Sequence, residues 1–242
     1  MSMQNQFDKI KVNVAKEIYQ NSRKIKTGKS LGLSFYTDKA NDLIITISGK
    51  ICSSNCDFGG ITSENYKLIL ETLNDNWGII ITQFNFLNSI VFTFDVKKDL
   101  ILDFPPSLYI SAIRESSLLS TNKVIQIDFL NKLGFEESVL IKSSNKTTRD
   151  SFLIYSKFAE IYANRRKYPE YFKQFDAEFL EKNKYTIRIE RRLASFKDMR
   201  KALNITESRP VTVHDVLFSR VNLVQEKFDE LIQKGVKNEK SF

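Results

Sequence analysis

Strict alternation of polarity is the feature that most constrains how this chain folds. In Tyr185–Leu193 the apolar Ile187 and Ile189 alternate with Arg188 and Glu190. Side chains in an extended strand point to opposite faces in turn, so the two sets fall on two faces. Alternation of this kind is typical of antiparallel sheets that have one covered face.

Other segments are also predicted to be strands, and segments with helical periodicity lie between them. The strand candidates are Asn41–Ile51, Ile79–Thr82, Ser89–Lys97, Val124–Ile127, Glu137–Ile141 and Ser151–Lys157. Helices are predicted from Thr62 to about Asn76, from Ser107 to about Ser117, in part of Glu160–Asn183, over Phe196–Leu203, and as a long amphipathic helix from Thr212 through Ile232. We therefore predict an α+β fold, a mostly antiparallel sheet with helices packed on one face.

Domain organisation is marked mainly by Pro105-Pro106, which begins a new unit. We expect an N-terminal half over residues 1–105, a C-terminal half over residues 106–233, and a frayed polar tail over residues 234–242. A length of 242 residues suits one large domain or two small ones in close contact.

Charge is the first functional indication. Lys and Arg outnumber Asp and Glu by 37 to 29, a formal net charge of +8, which favours polyanions or an anionic membrane surface as partners. The alternative is that the positive charge only aids solubility.

Because Cys52 and Cys56 are the only cysteines and His214 is the only histidine, a zinc site is not expected. No signal peptide and no transmembrane segment are predicted, so we expect no membrane partner and a location in the host cytoplasm.

One predicted sheet face gathers residues that can carry phosphodiester chemistry. If the strands are neighbours, Asp95, Tyr155, Lys157, Arg188 and Glu190 share it. Paired carboxylates can hold Mg²⁺ or Mn²⁺, a tyrosine can attack phosphorus, and basic side chains can neutralise phosphate. The alternative is an ordinary polar face that points outward from a half-buried sheet.

A second feature combines basic and aromatic residues between Tyr162 and Lys173. Arg165, Arg166 and Lys167 can contact phosphates, and the neighbouring tyrosines can stack on bases. The alternative is an amphipathic helix with a solvated basic face and an aromatic core side.

The second half of the chain resembles a known family. The segments Ile154-Tyr155-Ser156-Lys157-Phe158-Ala159-Glu160 and Ile187-Arg188-Ile189-Glu190-Arg191-Arg192-Leu193 are similar to the YxKxxE…RxExR signature of phage and plasmid replication initiators. The nearest types are the filamentous-phage gene II group and the rolling-circle plasmid initiators. Upstream, Phe94-Asp95-Val96 looks like the strand where such proteins place an early acidic residue.

The resemblance implies specific roles and partners. Glu190 and Asp95 correspond to metal-binding or catalytic carboxylates, with Mg²⁺ or Mn²⁺ as the cofactor. Lys157 and Arg188 correspond to phosphate contacts, and Arg192 continues the basic strand. It implies origin DNA, single-stranded or supercoiled, as the partner, together with a host helicase or polymerase, and metal-dependent nicking of one strand.

The chain departs from the family pattern at the nucleophile. Plasmid relatives carry a tyrosine in a YxGS phrase one strand earlier, where this chain has Leu140-Ile141-Lys142-Ser143. The paired metal-binding histidines of many nicking enzymes are also absent, because His214 is the only histidine. Either another tyrosine serves (Tyr155, Tyr162, Tyr168 or Tyr109), or the protein binds an origin or promoter without cutting it.

Overall fold

A computed structural model describes residues 5–52, 58–115, 122–125, 138–143 and 150–229. It confirms the α+β class: a large antiparallel sheet carries several helices. Among the described residues, no helix combines the length and the apolar composition needed to cross a bilayer.

The described residues form eleven strands. They are β1 Gln6–Val14, β2 Tyr19–Asn21, β3 Thr27–Ser30, β4 Leu33–Thr37, β5 Leu43–Ser48, β6 Ile79–Ile81, β7 Ile90–Ile101, β8 Asn122–Ile125, β9 Ser138–Ser143, β10 Asp150–Ser156 and β11 Thr186–Leu193. The segment around Ile10, whose pattern fits either a strand or a helix, is therefore a strand. The predicted strand residues Ile127 and Glu137 lie outside the described residues.

The described helices are short. They are α1 Lys67–Trp77, α2 Gln83–Leu87, α3 Pro106–Glu115, α4 Lys157–Asn164, α5 Pro169–Phe172, α6 Ala177–Lys182, α7 Phe196–Ala202 and α8 Val213–Leu217. The predicted helix from Thr62 begins later, at Lys67, because the Thr62 hydroxyl accepts from Asn65 and forms a turn instead of a cap. Gly78 ends α1 as predicted, with the positive φ of 66° that glycine adopts without strain.

The chain divides into two compact units. The first comprises Met1–Asp95 and Ala194–Val221, and the second comprises Val96–Leu193 and Asn222–Phe242. This division differs from the halves expected from the sequence, because it falls inside strand β7 and not at the two prolines. A long, unbroken strand has no turn chemistry to mark such a boundary.

The first unit has the strand order β3-β4-β5-β1-β7 and a separate β2–β6 pair. Strands β1, β3, β4 and β5 pair antiparallel, with Val12 opposite Ile45. Helix α1 buries Ile69 and Leu73, so the predicted helical stripe is its core side. These residues form an apolar core of aliphatic side chains.

The predicted long C-terminal helix is wrong. Thr212 caps α8 with a reciprocal capping box to Asp215, as its sequence suggests, but α8 ends at Leu217. Polar Ser219, Arg220 and Asn222 follow, and helical structure resumes only over residues 225–229. Periodicity alone could not detect this interruption, because the apolar residues on either side keep a helical spacing.

The second unit has the strand order β7-β11-β10-β9-β8, and its β8, β9, β10 and β11 pair antiparallel. One face of β10 and β11 packs against the returning chain over residues 222–229. Arg191 pairs with both carboxylate oxygens of Asp150 and donates to the carbonyl of Leu223, while the Phe152 and Phe228 rings lie 5.9 Å apart. The opposite face of the same strands is polar.

Candidate functional site

The polar face of the second unit is set by strand register. Arg188 lies directly opposite Tyr155, and Glu190 lies opposite Leu153. Residues that face each other across an antiparallel pair share a sheet face with their Cβ atoms about 5 Å apart. Tyr155, Arg188 and Glu190 are therefore neighbours on one face, as the alternation predicts.

Glu190 is the centre of a three-residue hydrogen-bonded group. The Tyr155 hydroxyl donates to Oε1 of Glu190, and Nη2 of Arg192 donates to Oε2 at 3.2 Å. Glu190 and Tyr155 are buried, whereas the Arg192 side chain is 39% exposed. A carboxylate that accepts from a tyrosine hydroxyl and is oriented by a third group has the arrangement of an activated nucleophile.

A second group surrounds Asp99, which the sequence interpretation did not include. Nε and Nη2 of Arg188 donate to the two carboxylate oxygens of Asp99 at 2.6 and 2.8 Å. Nζ of Lys97 donates to Oδ2 of Asp99 at 3.0 Å. The Arg188 and Lys97 side chains are buried, while the Asp99 side chain is 22% exposed.

The surroundings of Asp99 determine its protonation. Burial by itself would raise the pKa of this carboxyl. The charge and hydrogen bonds of Arg188, with the charges of Lys97 and Lys157, outweigh burial and hold the pKa of Asp99 well below its usual range. Asp99 is therefore a fixed negative charge at neutral pH.

Lys157 connects this group to helix α4. Its Nζ donates to Oε2 of Glu160 at 2.7 Å and lies 5.5 Å from the centre of the Tyr171 ring. Nδ2 of Asn164 donates a hydrogen bond to the other carboxylate oxygen, Oε1 of Glu160, at 3.2 Å. The side chain of Lys157 is buried, while that of Glu160 is 18% exposed.

Two details of the predicted face are wrong. Arg188 and Glu190 do not point outward into solvent, because ion pairs and hydrogen bonds hold both inside the unit. Lys157 is not a strand residue: β10 ends at Ser156, whose hydroxyl caps α4, and Lys157 is the first residue of that helix. Asp95 is half-buried and is the last residue of the first unit, while Glu190 belongs to the second.

Sequence reasoning missed Asp99 because the predicted strand stopped at Lys97, a residue that it placed beside Asp95 without assigning it a role. Strand β7 continues to Ile101, and Asp99 has the same parity as Asp95 and Lys97. Extending the alternation by two residues would have found it. Glu160 stands in the signature phrase itself, but no role was assigned to it.

The position of Leu140 bears on the missing nucleophile. Leu140 lies opposite Leu153 in β9, and Ser138 lies opposite Tyr155. Leu140, Leu153 and Tyr155 form one buried cluster. The position that the predicted resemblance to plasmid initiators would give to a tyrosine is therefore beside the Tyr155 ring, on the same sheet face.

The basic segment lies in the turn after α4. Arg165, Arg166 and Lys167 are exposed, and Nζ of Lys167 lies 5.2 Å from the centre of the Tyr168 ring. The aromatic residues Tyr171 and Phe175 are buried with their rings 5.0 Å apart. The solvated cations and the buried rings agree with the alternative interpretation, whereas contact with phosphates and stacking on bases remain predictions.

The hydrogen-bond donors around Glu190 affect whether its carboxylate can bind a divalent metal ion. Both of its oxygens already accept hydrogen bonds, and Arg192 is a cationic neighbour that would repel a divalent cation. In the parts of the chain that the structure describes, no three His, Cys, Asp or Glu side chains are grouped to hold a metal ion. We assign no chemical step to a metal, and the requirement for Mg²⁺ or Mn²⁺ remains a prediction.

The comparisons with known proteins do not assign a family. No family model matches the chain, and no curated protein matches it significantly. The resemblance to replication initiators therefore rests on the quoted signature residues alone. The structure adds that Tyr155, Arg188 and Glu190 share one face of β10 and β11, and that Lys157 and Glu160 pair with each other in helix α4.

Proposed function

We propose that this protein is a DNA replication initiator of a small circular phage or plasmid genome. It binds the origin and nicks one strand in a rolling-circle mode. The observation that carries the proposal is the hydrogen bond from the Tyr155 hydroxyl to Glu190, with Glu190 oriented by Arg192.

The chemistry follows from that arrangement. The Tyr155 oxygen bonds to phosphorus, and its proton passes to Glu190. The bond between phosphorus and the 3′ oxygen breaks, and this oxygen takes a proton from water. The 5′ phosphate stays attached to Tyr155, and the 3′ hydroxyl is free to prime synthesis.

In this proposal, basic side chains of the second unit provide the electrostatic attraction for DNA. Exposed Arg165, Arg166 and Lys167 are placed to contact backbone phosphates, and half-exposed Arg192 borders Glu190. A basic patch of this kind binds DNA without reading its sequence, so it supports affinity more than origin choice.

A second candidate function is DNA binding without cleavage, at an origin or a promoter. The observation that favours it is burial: Tyr155 is only 7% exposed, and a nucleophile must reach the phosphodiester. For nicking, DNA binding must therefore open access to this hydroxyl.

The experiment that tests the proposal is a nicking assay. Supercoiled circular DNA that carries the gene for this chain and its flanking sequence is incubated with the protein and Mg²⁺, Mn²⁺ or a chelator. We expect conversion to open circles by the wild type, loss of this activity in Glu190→Gln, and normal activity in the matched control Glu178→Gln, whose side chain is exposed in the same unit.

The outcomes separate the two candidates. Conversion that depends on Glu190 supports nicking. Tight binding by the wild type with no open circles in any metal supports the binding-only candidate and contradicts nicking. Absence of both binding and conversion contradicts the initiator proposal as a whole.

A further inference from the structure

We propose that Arg188 and Lys97 form a phosphate pocket that Asp99 occupies until a DNA backbone phosphate replaces it. The inference rests on the proposed function for the identity of the phosphate, because the pocket itself specifies only a singly charged oxyanion. In this proposal the Asp99 carboxylate occupies the position of the ligand's phosphate when no ligand is bound.

The geometry of the Arg188–Asp99 pair is that of oxyanion recognition. Nε and Nη2 of Arg188 meet the two oxygens of Asp99 at 2.6 and 2.8 Å, a parallel two-bond arrangement. Phosphate oxygens engage the same guanidinium edge in the same way. Lys97 adds a third donor at 3.0 Å, and the charge of Lys157 also acts on Asp99.

The residues of the pocket differ in their exposure to solvent. The side chains of Arg188, Lys97 and Lys157 are 0–1% exposed, while that of Asp99 is 22% exposed. Asp99 is therefore more accessible to solvent than the cations that it pairs with. A phosphate that takes its place binds cations that are already arranged around an anion.

Charge balance permits the exchange. A backbone phosphodiester carries one negative charge, as does Asp99. Replacement of one by the other therefore leaves the buried charge unchanged, so it avoids the large cost of an uncompensated buried cation.

Thr186 supplies an independent observation. It is 1% exposed, and in the described part of the chain its Oγ1 has no hydrogen-bond partner. Thr186 and Arg188 share a face of β11, because they are two residues apart in one strand. A phosphate has more acceptor oxygens than a carboxylate, so a phosphate bound on this face has an oxygen to offer to this hydroxyl.

The first arm of the test uses inorganic phosphate and needs no DNA. Melting temperatures of the wild type, Asp99→Asn and Asp103→Asn are compared in phosphate and in chloride at equal ionic strength. Asp103 is exposed in the same unit, so its variant matches the charge change. We expect phosphate to raise the melting temperature of Asp99→Asn alone, because ligand binding to the folded state stabilises it. Equal responses of the three proteins would overturn the pocket.

Asp99→Asn leaves buried cations less compensated, so it can fail to fold in chloride. Folding restored by phosphate supports the pocket. If it is unfolded in both salts, the double variant Lys97→Met/Asp99→Asn removes one charge of each sign and is measured in its place. Stabilisation of the double variant by phosphate supports the proposal, and no stabilisation overturns it.

The second arm measures DNA affinity. We expect Asp99→Asn, or the double variant, to bind DNA about tenfold more tightly than Asp103→Asn, the effect of one charge-assisted contact that no longer competes with Asp99. Affinity equal to that of Asp103→Asn contradicts replacement by DNA. A phosphate response without any DNA binding by the wild type supports the pocket and contradicts the proposed function, so the two failures are distinguishable.

Discussion

The hydroxyl of Tyr155 donates a hydrogen bond to the carboxylate of Glu190 inside the second unit. Tyr155 is the last residue but one of β10, and Glu190 lies in β11, 35 residues later along the chain. Antiparallel register brings them together: Tyr155 faces Arg188, and Glu190 is one alternation further along the same face. This pair joins the predicted nucleophile to the predicted catalytic carboxylate.

Replacement of Tyr155 by phenylalanine tests this pair. We expect Tyr155→Phe to abolish nicking and to lower the free energy of unfolding by about 1–3 kcal/mol, because buried Glu190 loses a donor. Tyr162→Phe is the matched control, since it removes a tyrosine hydroxyl from the same unit at a ring that packs between Phe158 and Phe172. Nicking assays and urea unfolding measure the two effects. A fully active Tyr155→Phe protein contradicts the assignment.

Arg191 is expected to be the main anchor of the returning chain. Arg191→Met leaves Asp150 without its guanidinium and the Leu223 carbonyl without its donor. Removing one partner of a buried ion pair costs about 3–5 kcal/mol, so we expect a loss of stability of that size. Hydrogen exchange should show faster opening of residues 222–229. Arg165→Met, at an exposed position, should change stability by less than about 0.5 kcal/mol.

Asp99 makes stability depend on acid pH. Its pKa is depressed in the folded state, so its stabilising contribution is complete above the unfolded value of about 3.9 and is lost as pH falls below it. We expect the free energy of unfolding to fall between pH 5 and pH 2 more steeply for the wild type than for Asp99→Asn. Asp103→Asn should keep the wild-type slope. Parallel curves for all three proteins are incompatible with the Asp99 ion pairs.

The exposed basic turn is expected to supply phosphate contacts. Replacement of Arg165, Arg166 and Lys167 by glutamine should weaken DNA binding for every sequence. It should also reduce the slope of log affinity against log salt by roughly 2–3, close to one per contact. Lys24, Lys26 and Lys29, which are exposed in the first unit, give a control of equal charge. If the two triple variants lose the same affinity and slope, the turn has no special role.

Many of the strands could be predicted from alternation of polarity in the sequence. Many of the contacts in the candidate site could not be predicted from any local pattern. The face shared by Arg188 and Glu190 is a direct consequence of period two, but Tyr155 joins it through the pairing of β10 with β11, which the sequence interpretation gave only as a condition. Burial of Arg188 was not predictable, because it depends on Asp99, a residue 89 positions away. Charged residues in an alternating strand usually face water, and only a partner of opposite charge makes their burial tolerable.

Helices were less predictable than strands for a related reason. The stripe from Val216 to Ile232 has helical spacing, yet α8 ends at Leu217 and the chain continues into another unit. Long-range contacts decide such breaks: Asn5 donates to the carbonyls of Ser219 and Val221 and holds this stretch in a non-helical form. Local propensity does not contain that information.

The most direct test of the central claim is identification of the covalent link between protein and DNA. The wild-type protein is incubated with single-stranded origin DNA, the adduct is digested with protease and nuclease, and the modified peptide is sequenced by mass spectrometry. The account predicts a 5′ phosphate attached to Tyr155, and no adduct in Tyr155→Phe or Glu190→Gln. An adduct on Tyr109, Tyr162 or Tyr168, or strand cleavage with no adduct at all, would contradict it.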